Sequence, residues 1–196
     1  DDGYIKFSCD FTKTKALDKR NISLLNKYRQ RLYDMGLIGA YPNKVGYGNI
    51  SIREGKKFIV SGSATGNIKK TDEKHYSLVD DYDIEKNRLK CSGPIKASSE
   101  SMTHAALYSC DKKIGAVIHV HSRKMWKKFV DKLPTTLKSA SYGTPEMAFD
   151  IQRLYFTTGF KEKKIAVLGG HEEGVIAFGK DLEEAFNIIS AYYGKK

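Results

Sequence analysis

The chain has 196 residues, with 34 Lys+Arg against 23 Asp+Glu and a formal net charge of +11. That length gives a single domain with room for a hydrophobic core, and a composition of 40% hydrophobic and 29% charged residues excludes wholesale disorder. No apolar stretch approaches the ~20 residues of a membrane span, no signal-peptide pattern opens the chain, and the missing initiator Met points to a trimmed start.

Residues 1–19 read as an N-terminal extension. Leu24, Leu25, Tyr28, Leu32 and Met35 recur at helical spacing, which predicts a first helix over 22–37. The period then changes to two. Residues 49–53 and 58–60 read as a hairpin across Glu54-Gly55, and 77–83 with 88–91 as a second strand pair. Ser99 stands as the N-cap of a helix through Met102, Ala105, Ala106 and Tyr108. Residues 114–121 form a β-branched strand, and Met125, Trp126, Phe129 and Val130 outline a short helix. Pro145 opens another helix through about Tyr155, residues 165–168 and 175–178 are the last strands, and Asp181 with Glu184 starts a terminal helix in the manner of a capping box. Strands and helices mix without βαβ alternation, which favours a helix-covered sheet over a Rossmann fold.

The charge surplus lies mostly in residues 1–70, which hold 14 basic and 6 acidic side chains, against 20 and 17 in the remainder. It is spread singly and in pairs such as Lys56-Lys57, without a dense run, aromatic interleaving or a helix-turn-helix, zinc-finger or RNP-like pattern. No nucleic-acid partner is expected. Cys9, Cys91 and Cys110 are an odd count without a CxxC pair, as in a reduced cytoplasmic protein.

His119 and His121 sit two apart in a strand, so both leave one face of the sheet. Two imidazoles at the end of an apolar strand suit two ligand positions of a tetrahedral metal. His171, after Gly169-Gly170, is the candidate third ligand; three nitrogens leave room for substrate oxygen, as at a catalytic site. His75 reads as a surface residue. His104, four residues after Glu100 on one helix face, reads as a support that leaves Glu100 free. Ser98-Ser99-Glu100 stands where a loop becomes a helix, an anion-binding position as well as an ordinary cap. The turns Gly46–Ser51 and Ser61–Gly66 lack a P-loop signature, yet with Ser98 and Ser99 they would build a phosphate pocket from amides and short side chains.

Taken in order, Gly48-Asn49-Ile50-Ser51, Thr65-Gly66, Ser98-Ser99-Glu100, His119-Val120-His121, Gly143-Thr144-Pro145-Glu146 and Gly170-His171-Glu172-Glu173-Gly174, running into Leu182-Glu183-Glu184-Ala185-Phe186, resemble the class II aldolase/adducin family from about residue 20 onward. The resemblance implies a single three-layer α/β/α domain on a mainly antiparallel sheet. It implies Zn2+ or another divalent metal on His119, His121 and His171, substrate phosphate on Asn49, Thr65, Gly66, Ser98 and Ser99, and Glu100 as the acid/base residue. The implied activity is reversible retro-aldol cleavage of a phosphorylated sugar of the fuculose-1-phosphate type by a homotetramer. An epimerase, a dehydratase or a non-catalytic adducin-like domain are the alternatives.

Three departures stand out. The turn after Val60 is longer than the family's, so Ser61-Gly62 or Ser63 competes with Thr65-Gly66 for the phosphate turn. No tyrosine follows Leu133-Pro134 until Tyr142, which bears on the fuculose-type substrate. The residues before His171 are both glycine, where a polar residue is common.

Overall fold

The computed structural model describes residues 4–195. Ten strands and six α-helices are assigned among them: β1 (Ser8–Lys13), α1 (Lys19–Asp34), β2 (Gly39–Ala40), β3 (Gly46–Tyr47), β4 (Asn49–Glu54), β5 (Lys57–Ser61), β6 (Tyr76–Asp83), β7 (Arg88–Gly93), α2 (Ser101–Cys110), β8 (Ala116–His121), α3 (Arg123–Phe129), α4 (Pro145–Thr157), α5 (Phe160–Lys163), β9 (Ile165–Val167), β10 (Gly174–Gly179) and α6 (Leu182–Tyr193). Eight strands form one sheet in the order β1-β7-β6-β5-β4-β8-β10-β9, and β2 pairs with β3 separately. Every pairing in the large sheet is antiparallel except β1 with β7.

Strand alternation sorts the core into two layers. Val117, Ile176, Phe58 and Val60 face one way and pack with Met102 and Ala106 of α2, Met147 and Ile151 of α4, and Phe160 of α5. Ile50, Ile118, Val120 and Ala177 face the other way, against Leu25 and Leu32 of α1, Met125 of α3 and Phe186 of α6. The result is the three-layer α/β/α domain on a mainly antiparallel sheet that the sequence leads one to expect.

Several boundaries move. The first helix starts at Lys19 because the Asp18 carboxylate accepts from Arg20 N at 2.9 Å; its polar first turn carries no apolar periodicity. The helix expected to be capped by Ser99 begins at Ser101, with Glu100 in the cap position and no side-chain cap bond. Thr144, Ser122 and Asp181 cap α4, α3 and α6 through their side chains. Within residues 1–19, Ser8–Lys13 is a strand, paired with β7 from Ser8↔Arg88 to Lys13↔Gly93.

Candidate active site

The buried central strand β8 delivers two histidines. His119 and His121 alternate with Ile118 and Val120, which face the α1/α6 layer, and so project toward α2 and α4. The antiparallel register sets His119 opposite Ile176 and His121 opposite Gly174 of β10. A Cβ at Gly174 would stand 2.9 Å from the His171 carbonyl oxygen and 3.2 Å from His119 Nε2, so the bare position leaves space for the cluster. After β9 a tight turn supplies His171: its amide donates to Leu168 O at 3.2 Å and its carbonyl accepts from Gly174 N at 2.9 Å. The Gly169-Gly170 pair has a steric reason. Side chains there would collide with the Thr136 and Ala140 carbonyl oxygens.

One ligand nitrogen from each of His119, His121 and His171 lies within 4.8 Å of the others. All three residues are buried. Neither ring nitrogen of His119 has a hydrogen-bond partner among the described residues, a costly condition for a buried polar group and one that a metal ion would relieve. Burial, and then the neighbouring His121, His171 and His104, hold the His119 pKa well below its usual value. That keeps the ring in its neutral, ligand-competent form. The donor set therefore fits a divalent ion.

Tyr41 orients His121. Its hydroxyl donates to Glu173 Oε2 at 2.8 Å and lies 2.7 Å from His121 Nδ1, so Nδ1–H donates to the phenol oxygen and Nε2 keeps the lone pair. Tyr142 packs its ring 5.0 Å from that of His171.

Glu100, at the mouth of α2, is only 3% exposed. Its Oε2 accepts from the Thr103 hydroxyl at 3.2 Å, and Oε1 lies 3.4 Å from His171 Nδ1. His104, one helical turn on, does a different job. It is fully buried, and burial lowers its pKa to about 3, so it is neutral at physiological pH. Its Nε2 donates to Asn49 Oδ1 at 2.6 Å, and its Nδ1 accepts from the Ser51 hydroxyl at 2.7 Å. Tyr108 lies 2.8 Å beyond, on Ser51 Oγ. The half-buried His75 makes a capping box with Asp72, away from the cluster.

The three polar turns meet beside the histidines, where Gly46–Asn49, Gly62, Ala64–Gly66 and Ser98–Glu100 line one cleft with His119, His121 and His171. All five expected phosphate-contacting residues, Asn49, Thr65, Gly66, Ser98 and Ser99, are on its wall. The long turn after Val60 divides its labour. Ser61 Oγ accepts from Ile50 N at 3.2 Å, Ser63 N donates to Lys96 O at 2.8 Å, and Gly62 and Thr65-Gly66 face the cleft. The Thr65 hydroxyl donates to Gly62 O at 2.8 Å, stapling the loop. Behind this loop stands Arg29 of α1, 2% exposed, whose Nη2 donates to the carbonyls of Thr65 and Gly66 and whose Nη1 donates to that of Lys69, each at 3.0 Å.

Sequence reasoning missed Tyr41, Glu173 and Arg29. Glu173, two residues past His171, had a positional signal; Tyr41 and Arg29 are brought in only by tertiary packing.

The chain belongs to the class II aldolase and adducin family: the family model for the class II aldolase and adducin N-terminal domain matches residues 42–192. It is 27% identical over 179 residues to a methylthioribulose-1-phosphate dehydratase of Leptospira biflexa serovar Patoc, a match covering 74% of this chain and 82% of the relative. Its fold is similar to that of an L-fuculose 1-phosphate aldolase (TM-score 0.67, 19% identity, 92% of this chain and 90% of that one). A sugar-phosphate aldolase from Thermotoga maritima superposes similarly (TM-score 0.65, 16% identity, 88% and 90%). Among the described residues, no helix is long and apolar enough to cross a membrane.

Proposed function

We propose that this chain is a Zn2+-dependent carbon–carbon lyase that reversibly cleaves a small phosphorylated ketose of the fuculose-1-phosphate type to dihydroxyacetone phosphate and an aldehyde. The observation that carries this reading is the convergence of three buried imidazoles, one buried carboxylate and an amide- and hydroxyl-lined wall in one cleft. His119, His121 and His171 would hold the ion, three neutral nitrogens being a zinc-like catalytic set. When bound there, the ion supplies Lewis-acid polarisation of a carbonyl and compensates the negative charge left by bond cleavage.

The remaining work falls to the chain's own groups. Gly66 N–H, the Ser98 and Ser99 hydroxyls and the Asn49 amide bind the phosphate, and Thr65 shapes the loop that presents Gly66. As the C–C bond breaks, the hydroxyl on the departing carbon loses its proton and becomes the aldehyde carbonyl. Glu100 delivers one proton to the carbon left with the electron pair and removes it again in the condensing direction, so no proton is gained or lost overall. The cleft's burial limits the access of water that would compete for the proton. A homotetramer is part of the reading: Phe149 and Phe156 lie seven residues apart on α4, exposed by 45% and 69%, a surface suited to a second subunit. So is a cytoplasmic location, which the three free cysteines favour.

The Leptospira relative favours one second reading, a dehydratase that enolises a phosphorylated ketose with the same groups and expels water. The experiment incubates metal-loaded protein with a panel of phosphorylated ketoses that includes fuculose 1-phosphate and methylthioribulose 1-phosphate. Release of dihydroxyacetone phosphate marks the aldolase, loss of water the dehydratase, and an inverted stereocentre an epimerase. Stoichiometric metal with no turnover of any substrate would leave a non-catalytic binding domain and sink the lyase reading.

A further inference from the structure

Arg29 is a buried cation that the chemistry above does not use. No carboxylate lies within ion-pair distance of it among the described residues, and its side-chain hydrogen bonds go to three backbone carbonyls. Burial pulls its pKa below the usual arginine value, which still leaves it fully charged. The Tyr33 ring lies 4.8 Å from its guanidinium carbon, and Asp34 acts on it from beyond ion-pair distance. A desolvated charge held by carbonyls and a ring face without an ion-pair partner is still expensive, and an anion bound nearby would lower that cost.

The carbonyls it holds show where that anion sits. No peptide in the described chain is cis, and in a trans peptide the C=O and the following N–H point in opposite directions. With the Thr65 carbonyl drawn back onto Arg29, the Gly66 N–H must point forward, and Gly66 lines the cleft. A cation on the carbonyl end of a peptide also strengthens its N–H as a donor.

We propose that Arg29 is the positioning residue that makes the cleft selective for a dianionic phosphate: its charge is passed through the Thr65–Gly66 peptide, which it also locks with the N–H facing the ligand. This rests on the phosphate-binding reading of the cleft. A mere loop prop would support neutral and phosphorylated ligands alike, whereas a relayed charge favours only the phosphorylated one.

Dihydroxyacetone and dihydroxyacetone phosphate share a hydroxyketone and differ in the phosphate, so their affinities for the purified protein, measured by calorimetry with metal content recorded, separate the two roles. Wild type is expected to prefer the phosphorylated ligand. Arg29→Met should cut that preference about tenfold or more, leaving dihydroxyacetone affinity and metal content unchanged, while Arg29→Lys, which keeps the charge but not the fork, loses less. Equal loss of both ligands, or no loss, overturns the proposal and leaves the phosphate cleft standing. A wild type without preference overturns the phosphate reading itself and the inference with it. Should Arg29→Met not fold, a 31P titration of dihydroxyacetone phosphate bound to wild type decides. The bound ester is expected to stay dianionic below its solution pKa of about 6, and an unshifted titration overturns the proposal.

Discussion

Glu100 and His119 lie close together yet should fail in different ways when replaced. Glu100→Gln keeps the side chain's shape and its place beside Thr103 and His171, but it cannot take up or give a proton. Turnover should fall by about 10²–10⁴-fold with bound metal retained. His119→Ala removes a donor and should lose the metal as well; metal analysis beside a rate assay separates the two, and full turnover in either variant refutes the assignment. His104 makes a prediction about pH. Its folded pKa of about 3 lies below the ordinary 6.5, so below pH 6.5 the unfolded chain takes a proton that the folded chain refuses. Stability is complete above that value and declines toward pH 3, by about 1.4 kcal/mol per unit at most. The melting temperature of His104→Gln should therefore fall less between pH 7 and 5 than that of wild type, and parallel slopes would count against this origin. The spacing of His119 and His121 made their common face legible from period two alone. The partners of His104 were not legible, because Asn49 and Ser51 of β4 meet it only where α2 packs on the sheet.

Among the elements, those with an internal period and a cap were readable: the β4–β5 hairpin, β8, α4 behind Pro145 and α6 behind Asp181. Those without were not. Strand β1 does alternate, with Cys9 and Phe11 inward between exposed Ser8, Asp10 and Thr12, but it has no turn joining it to its partner β7, far along the chain; β2 and β3 are two residues each, and α5 is a single turn. The glycine-bearing turns were legible as turns, but not the contacts that require glycine. A Cβ on Gly66 would collide with the Gly39 carbonyl oxygen and stand 2.8 Å from Gly46 Cα and 3.0 Å from Tyr47 N, all backbone. Gly66→Ala must push the two turns apart, costing about 1–3 kcal/mol and weakening binding of phosphorylated ligands. Gly159→Ala, which meets only the end of Lys163 at 3.6 Å, is the control and should leave both melting temperature and binding close to wild type.

At the scale of the whole molecule, a helix-covered sheet followed from the lack of βαβ alternation and two adjacencies from the hairpins β4–β5 and β6–β7, but the rest of the strand order did not, because pairing between strands distant in the chain leaves no local trace. The net charge of +11 now has a more specific meaning. Much of the excess lies in the first 70 residues, which supply two of the three polar turns and the buried guanidinium behind one of them. Exposed lysines nearby act over a Debye length of about 8 Å at physiological salt, so they should speed capture of an anionic substrate without changing chemistry. Raising the ionic strength is expected to lower kcat/KM for a phosphorylated substrate and leave kcat unchanged; a salt-independent kcat/KM would confine the charge effect to buried groups.

The parallel strand β1 has a consequence for handling the protein. By lying along β7 it pairs that strand's outer backbone and becomes the sheet's border itself, a six-residue edge with the charged Asp10 and Lys13 at exposed positions, and it brings the buried Phe7 with Phe11 and Cys9 onto the core. Removing residues up to Lys13 would uncover Leu89 and Cys91 and leave β7 as a template for pairing with other chains, with only Arg88 and Lys90 as charged guards. A truncated chain of that kind should scatter light on concentration or gentle heating well before its helices unfold. Residues 8–13, read from the sequence as part of an N-terminal extension, are therefore an integral border of the sheet that keeps β7 from other chains.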